Sequence, residues 1–382
     1  MERVTDHPTA NEQLLYFTSP SITADGATLV FLSDRGGEPN VFARDLGSGH
    51  ETQVTDNTAG VLRSYVYFDG REGEGLGKAS ISLDPRRGLV YYLQGNDIRV
   101  ADLSGHRRRL ATIAEGLMTG FTHVSTDGRW FCLPTIDRAA FGEHRGGYTP
   151  TIDERVRERG LASHLRIFDT ASGEEVAREP VPEAWVTHVQ FNPADPTLLM
   201  YNHEWCSETG WRRMWLWDGE AHRPLRSLEA GRIADDWICH EVWSQDGAHV
   251  IYHGGFGAEG VGGTFVGRIT PASGATVEVP LPEHHRGYGH FITGPADRLV
   301  TDGYYRASDD PPGNHGRWIC LVDVDWDDRR TDWTPLERHG SSWTSQDAHP
   351  HPVFSPDGAW VYLTSDFEGR RAVYRINTGT TA

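Results

Sequence analysis

The chain has 382 residues, 37% of them apolar, and 43 glycines, enough for about two or three ordinary domains or one large repetitive one, and too apolar for disorder. Its formal net charge of -18 excludes a general nucleic-acid binder, which needs a basic stripe for phosphates. An anionic ligand must therefore meet a local positive site made by arginines or a metal.

Cys132, Cys206, Cys239 and Cys320 form no C-x-x-C pair, so they read as free, buried thiols of a reducing compartment. No stretch is apolar for long enough to span a bilayer, and "MERVTDHPTANEQLLYF" lacks the pattern of an export signal. The expectation is a soluble, cytoplasmic protein with no nucleic-acid or membrane partner. Its oligomeric state is not legible.

In chain order, the same unit recurs. "SPSITADGATLVFLSD" from Ser19 is a short strand, an Asp-Gly turn and a strand of alternating apolar residues, followed by a third strand from Asn40. Related units begin at Ser82, Val124, Val189, Val242 and Phe291, and "HPVFSPDGAWVYLTSD" from His351 repeats the first almost word for word. The turn residues Asp25, Asp84, Asp127, Asp195, Asp246, Asp297 and Asp357 are roughly 40 to 70 residues apart, the span of a propeller blade with loop insertions. A single small sheet cannot bury both faces, whereas seven in a ring bury each other. The expected fold is all-β, a single seven-bladed β-propeller over residues 1–382. The last unit is one strand short, so Glu2 to His7 is expected to complete it and close the ring. The third unit carries an insertion over about 139–164. Within it "TPTIDERVRERGLASH" reads as a short helix capped by Thr151, with acidic residues early and arginines late.

Histidines mark the starts of the first strands. His123, His188, His240, His290 and His351 lie four to seven residues before the turn aspartates of consecutive units. His349 and His351 are two apart, so on an extended strand they face one side. Pro350 and Pro352 stiffen that entry and remove backbone donors where a strand tolerates the loss. With Gln346 folding back and His290 entering from the neighbouring unit, three imidazoles and an amide oxygen converge as a metal site. Such a neutral set leaves a dication its full charge, and suits manganese, iron, cobalt or nickel better than structural zinc. Taken singly, each histidine reads as a hydrogen-bonded lining residue.

"HGSSWTSQDAHPHPVFSPDG", "ICHEVW" (Ile238–Trp243), "YNHE" with "RRMWLWDGE" (Tyr201–Glu220) and "YGHFIT" (Tyr288–Thr293) resemble the oligogalacturonate lyases, seven-bladed polysaccharide lyases. The resemblance implies a divalent metal, typically Mn²⁺, on His290, Gln346, His349 and His351. It implies His240 as the base and Arg213 as a substrate and charge contact, with Arg212, His188 and His203 as further substrate-binding candidates. The implied reaction is β-elimination from a small acidic oligosaccharide of 4-linked uronic acids, giving a 4,5-unsaturated product. "EQLLYF" (Glu12–Phe17) stands where that family has a Cys-His-Arg segment, which bears on sugar preference. The bland alternatives pair His240 with Glu241 or a backbone group, and Arg213 with Asp218 at the surface. A different class of function, a non-catalytic TolB-like propeller binding peptides or proteins, fits the Asp-Gly hairpins equally well and predicts no transition metal. A serine-peptidase propeller is disfavoured because no G-x-S-x-G elbow occurs.

Overall fold

A computed structural model describes residues 1–62, 76–143, 150–204, 213–226, 236–257, 262–282, 289–306 and 318–379. Seven antiparallel sheets follow one another along the chain, and each turn aspartate lies between the first and second strands of its sheet or ends the first. The architecture is the expected seven-bladed β-propeller. No helix among the described residues is long and apolar enough to cross a membrane.

The repeated turn has a local cause. Thr23, Ser125, Ser244 and Ser355 donate their hydroxyls to Asp25, Asp127, Asp246 and Asp357 two residues on, at 2.5–2.6 Å. The same carboxylates accept the backbone N–H of Ala27, Arg129, Ala248 and Ala359. The following glycine takes a positive φ of 65–72° and returns its N–H to the Thr or Ser carbonyl. Residues within a five-residue window thus specify the reversal.

The second strands depart from the expected alternation. Thr28–Ser33, Leu89–Gln94 and Trp360–Ser365 are buried at nearly every position. The reason is that both faces of such a strand are covered. Val90 and Tyr92 pack with Leu15, Val30 and Leu32 of the first sheet, while Tyr91 and Leu93 pack with Val124, Phe131 and Leu133 of the third. Alternation survives in outer strands such as Glu175–Pro182, where one face meets water.

The inserted helix, Pro150–Glu158, buries Ile152 and Val156, four apart on one face. It starts at Pro150, so Thr151 lies inside the first turn rather than capping it; proline suits the first helical position because its missing N–H has no partner to lose there.

The last sheet is completed from the other end of the chain. Strand Glu2–Arg3 pairs with Ala372–Asn377 in the register Glu2↔Arg375. Glu2 accepts both guanidinium N–H groups of Arg375 at 2.7–2.9 Å, and Val373 donates its N–H to the Thr5 hydroxyl. Deleting residues 1–5 would leave Ala372–Asn377 as an unpaired edge. The expected outcome, read by calorimetry, is an unfolding midpoint lower by several degrees.

The chain groups into two compact units. One holds Met1–Asp6, Cys206–Met214 and Arg223–Ala382; the other holds His7–Trp205 and Trp215–His222.

Candidate metal centre

His290, His349 and His351 come together in the first of these units. Each offers a ring nitrogen, and these atoms lie within 4.8 Å of one another. His290 and His351 are fully buried and His349 nearly so. The backbone explains the convergence. His290 immediately precedes strand Phe291–Thr293, whose register Phe291↔Thr301 sets His290 opposite Asp302. Asp302 accepts the His290 backbone N–H at 2.8 Å and grips its Nδ1 at 2.9–3.0 Å. Its second oxygen accepts the His351 N–H at 3.1 Å. One carboxylate therefore ties two blades at the cluster.

Burial pushes the Asp302 carboxyl's pKa up, but the His290 imidazole and its hydrogen bonds outweigh this, and the net shift is downward. A carboxylate only accepts, so His290 carries its proton on Nδ1 and presents Nε2 as the donor atom. Removing this support, in Asp302→Ala, is expected to weaken metal binding roughly 10- to 100-fold by titration calorimetry.

His349 and His351 do not lie on an extended strand. The strand is only Val353–Phe354, and His351 has a φ of +46° between its two prolines. The left-handed residue, not strand periodicity, brings both rings to one side. Such a conformation costs about 1–3 kcal/mol and persists where surrounding contacts hold it. Here Asp302 holds the His351 N–H, and Thr364 donates to the Pro350 carbonyl. Gln346 begins the 3₁₀ turn Gln346–Ala348 that leads into His349, and the Trp343 ring lies 4.8 Å from that of His349. Three buried imidazoles with a carboxylate behind one of them fit a borderline divalent ion.

His240 lies against this cluster, its ring centre 4.2 Å from that of His290. It sits in strand Trp237–Trp243 at a β-bulge between Cys239 and Val242, with a φ of +54°. Bulges re-aim side chains beside functional sites. His240 Nδ1 is 3.0 Å from the Gly289 carbonyl and 2.6 Å from His253 Nε2. Burial first, then the His290, His253 and Arg213 charges, push its pKa well below 6.5, so the ring is neutral at neutral pH.

No protein-family profile matches the chain. It is 25% identical over 385 residues to an oligogalacturonide lyase of Pectobacterium atrosepticum, covering 94% of this chain and 88% of that one. It is 25% identical over 387 residues to an oligogalacturonate lyase of Dickeya dadantii, with the same coverage. This chain is related to the oligogalacturonate lyases. Two solved structures share its fold: an oligogalacturonate lyase in complex with manganese (TM-score 0.75, 21% identity) and one from Vibrio parahaemolyticus (TM-score 0.76, 21% identity). Each match covers 98% of this chain and 92% of that one.

The likeness to oligogalacturonate lyases directs attention to Arg213, and the structure alters the picture of it. Its Nε and Nη2 donate to Glu241 at 2.9 and 3.3 Å, both side chains being buried. The fork expected to clamp a substrate carboxylate is thus engaged by a protein carboxylate. Glu241 serves Arg213 rather than His240, and Asp218 accepts the N–H groups of its own turn, Glu220 and Ala221. Arg213→Ala removes the guanidinium that is paired with the buried Glu241 carboxylate, a loss of about 3–5 kcal/mol. The expected result is a lowered unfolding midpoint together with any loss of activity. Replacing both partners by apolar residues is expected to restore most of the stability, as read by denaturant titration.

Other expected residues belong to the second unit or fall outside the description. His188 is packed edge-on against Phe121, ring centres 4.6 Å apart, and its N–H bonds Asn202. His203 stacks on Trp215 at 5.0 Å, and burial holds its pKa down to about 3. His123 accepts the Phe191 N–H on Nδ1. Arg212 lies outside the described residues.

Sequence reasoning missed Asp302, His253 and Trp343, and offered Glu241 as a partner of His240 where it pairs with Arg213. For Asp302 a signal existed: extending the hairpin pairing around Asp297 back from Phe291↔Thr301 sets His290 against it. For His253 the pairing Cys239↔His253 is equally readable, but the bulge that brings it to His240 is not.

Proposed function

We propose that the chain is a metal-dependent lyase that cleaves 4-linked uronic-acid oligosaccharides by β-elimination. The observation that carries the reading is a buried triad of His290, His349 and His351 with a neutral His240 packed on it. The named relatives supply the substrate class.

The proton on C5 of a uronide is α to a carboxylate and barely acidic while that carboxylate is a free anion. His290, His349 and His351, with Gln346 as a fourth ligand, would hold a dication, and its charge would offset that carboxylate's as negative charge builds on it. Manganese is the ion we favour, because a related structure carries it. His240, protonated on Nδ1, takes the C5 proton on Nε2. The electron pair of the broken C5–H bond forms the C4–C5 double bond, and the C4–O4 bond breaks. The departing O4 takes a proton. Arg213, ion-paired with Glu241, sets its guanidinium near the base and helps keep His240 uncharged. Arg212, His188 and His203 remain substrate-binding candidates. We place the reaction in the cytoplasm, on short soluble oligomers, because Cys132, Cys239 and Cys320 are unbridged.

The test is digalacturonate turnover followed by the ultraviolet absorbance of the unsaturated product. Chelator is expected to abolish it, and manganese to restore it. Purified protein without any transition metal, and no product with manganese added, would overturn the reading and favour a TolB-like binding propeller.

A further inference from the structure

His253 lies in strand Val250–Gly255, paired with the strand that carries His240, and the proposed reaction assigns it nothing. It is almost fully buried, with Trp237 edge-on at 5.2 Å and Phe291 at 5.6 Å. The two strands approach so closely here that a Cβ on Gly254 would collide with the Trp237 carbonyl. His253 is therefore clamped in place.

The bulge and the left-handed φ of His240 swing its ring out of the regular ladder and onto His253. The two ring nitrogens, Nδ1 of His240 and Nε2 of His253, are 2.6 Å apart. At that distance one of them must carry a proton and the other a lone pair. The Gly289 carbonyl, 3.0 Å from the same Nδ1, only accepts. The proton therefore sits on His240 Nδ1 and is shared between two acceptors. The opposite arrangement, with the proton on His253 Nε2, keeps the ring-to-ring bond but sets the His240 Nδ1 lone pair against the Gly289 carbonyl oxygen.

Resting on the lyase reading, we propose that His253 is a positioning residue for C5 proton abstraction. As an uncharged acceptor it locks His240 in the tautomer whose basic nitrogen is Nε2, and anchors a ring held on a strained backbone. As His240 takes the C5 proton, its Nδ1–H bond to His253 strengthens without any further atom moving. A carboxylate in this place would serve the same geometry but would bring a full charge into a buried site.

The test compares His253→Leu with His253→Gln, whose amide oxygen can accept. The leucine variant is expected to lose roughly 10- to 100-fold in kcat with KM nearly unchanged, and the glutamine variant to recover most of it. Nitrogen-15 NMR of the imidazoles, with zinc added as a diamagnetic dication, is expected to show His240 as a single Nδ1–H tautomer in the wild type. In the leucine variant, where only the Gly289 carbonyl still holds that proton, a share of the Nε2–H tautomer should appear. Either an Nε2–H tautomer in the wild type or an unchanged kcat in a folded His253→Leu would overturn the proposal. The NMR arm needs no substrate. A His253-dependent tautomer in a protein that cuts no uronide therefore upholds the pairing and overturns the reaction, and the wild-type spectrum decides even where the leucine variant fails to fold.

Discussion

Replacing His349 and His351 together by alanine is expected to abolish metal retention and to lower digalacturonate turnover by about 10³-fold or more. Among the described residues, the two supply two of the three clustered imidazoles. What remains is His290, still held by Asp302, and Gln346. One imidazole and one amide bind a divalent ion weakly, so elemental analysis of the purified variant should find it empty. The fold should survive. The hydrogen bond from Thr364 to the Pro350 carbonyl and the one from the residue-351 N–H to Asp302 are backbone-mediated and do not need the imidazoles. Alanine at 351 does inherit the positive φ, at a cost of about 1–2 kcal/mol already largely borne by histidine. A variant that folds, holds no metal and keeps full turnover would sink the metal-dependent reading.

His240→Asn is expected to reduce kcat by roughly 10²- to 10⁴-fold while metal content stays at the wild-type level. Asparagine is the informative replacement. It tolerates the left-handed conformation that His240 adopts, and its amide can still donate to the Gly289 carbonyl. Strain and local hydrogen bonding are thereby kept while the basic nitrogen is removed. KM should change little, because His240 acts on C5 rather than on the sugar's periphery. Turnover within threefold of wild type, with normal metal content, would show that another group takes the proton. The paired outcomes separate the two functions of the site: the first variant loses metal and activity, the second activity alone.

The repeated architecture was legible because its determinants are local. The Ser/Thr-x-Asp-Gly reversal is closed by bonds within five residues at four of the turns, and with the aspartates at the other three it announces seven sheets without knowledge of their neighbours. The completion of the last sheet by the chain's start followed from counting strands, and Glu2–Arg3 fills that place. The three clustered histidines were legible for a related reason: each sits at the entry of a first strand, an address set by the turn that follows.

The number of blades, the closing strand and the imidazoles that meet could be read from the residues alone. How those imidazoles meet could not. His351 and His240 take left-handed backbones that no local propensity favours, and they keep them because carbonyls and carboxylates from other strands hold them there. The pairing of Arg213 with Glu241, and of His240 with His253, depends on a bulge and on cross-strand register. Those contacts join residues far apart along the chain or displaced by one step within a strand. Their energy is realised only once the sheets have formed, so no short window of sequence contains it.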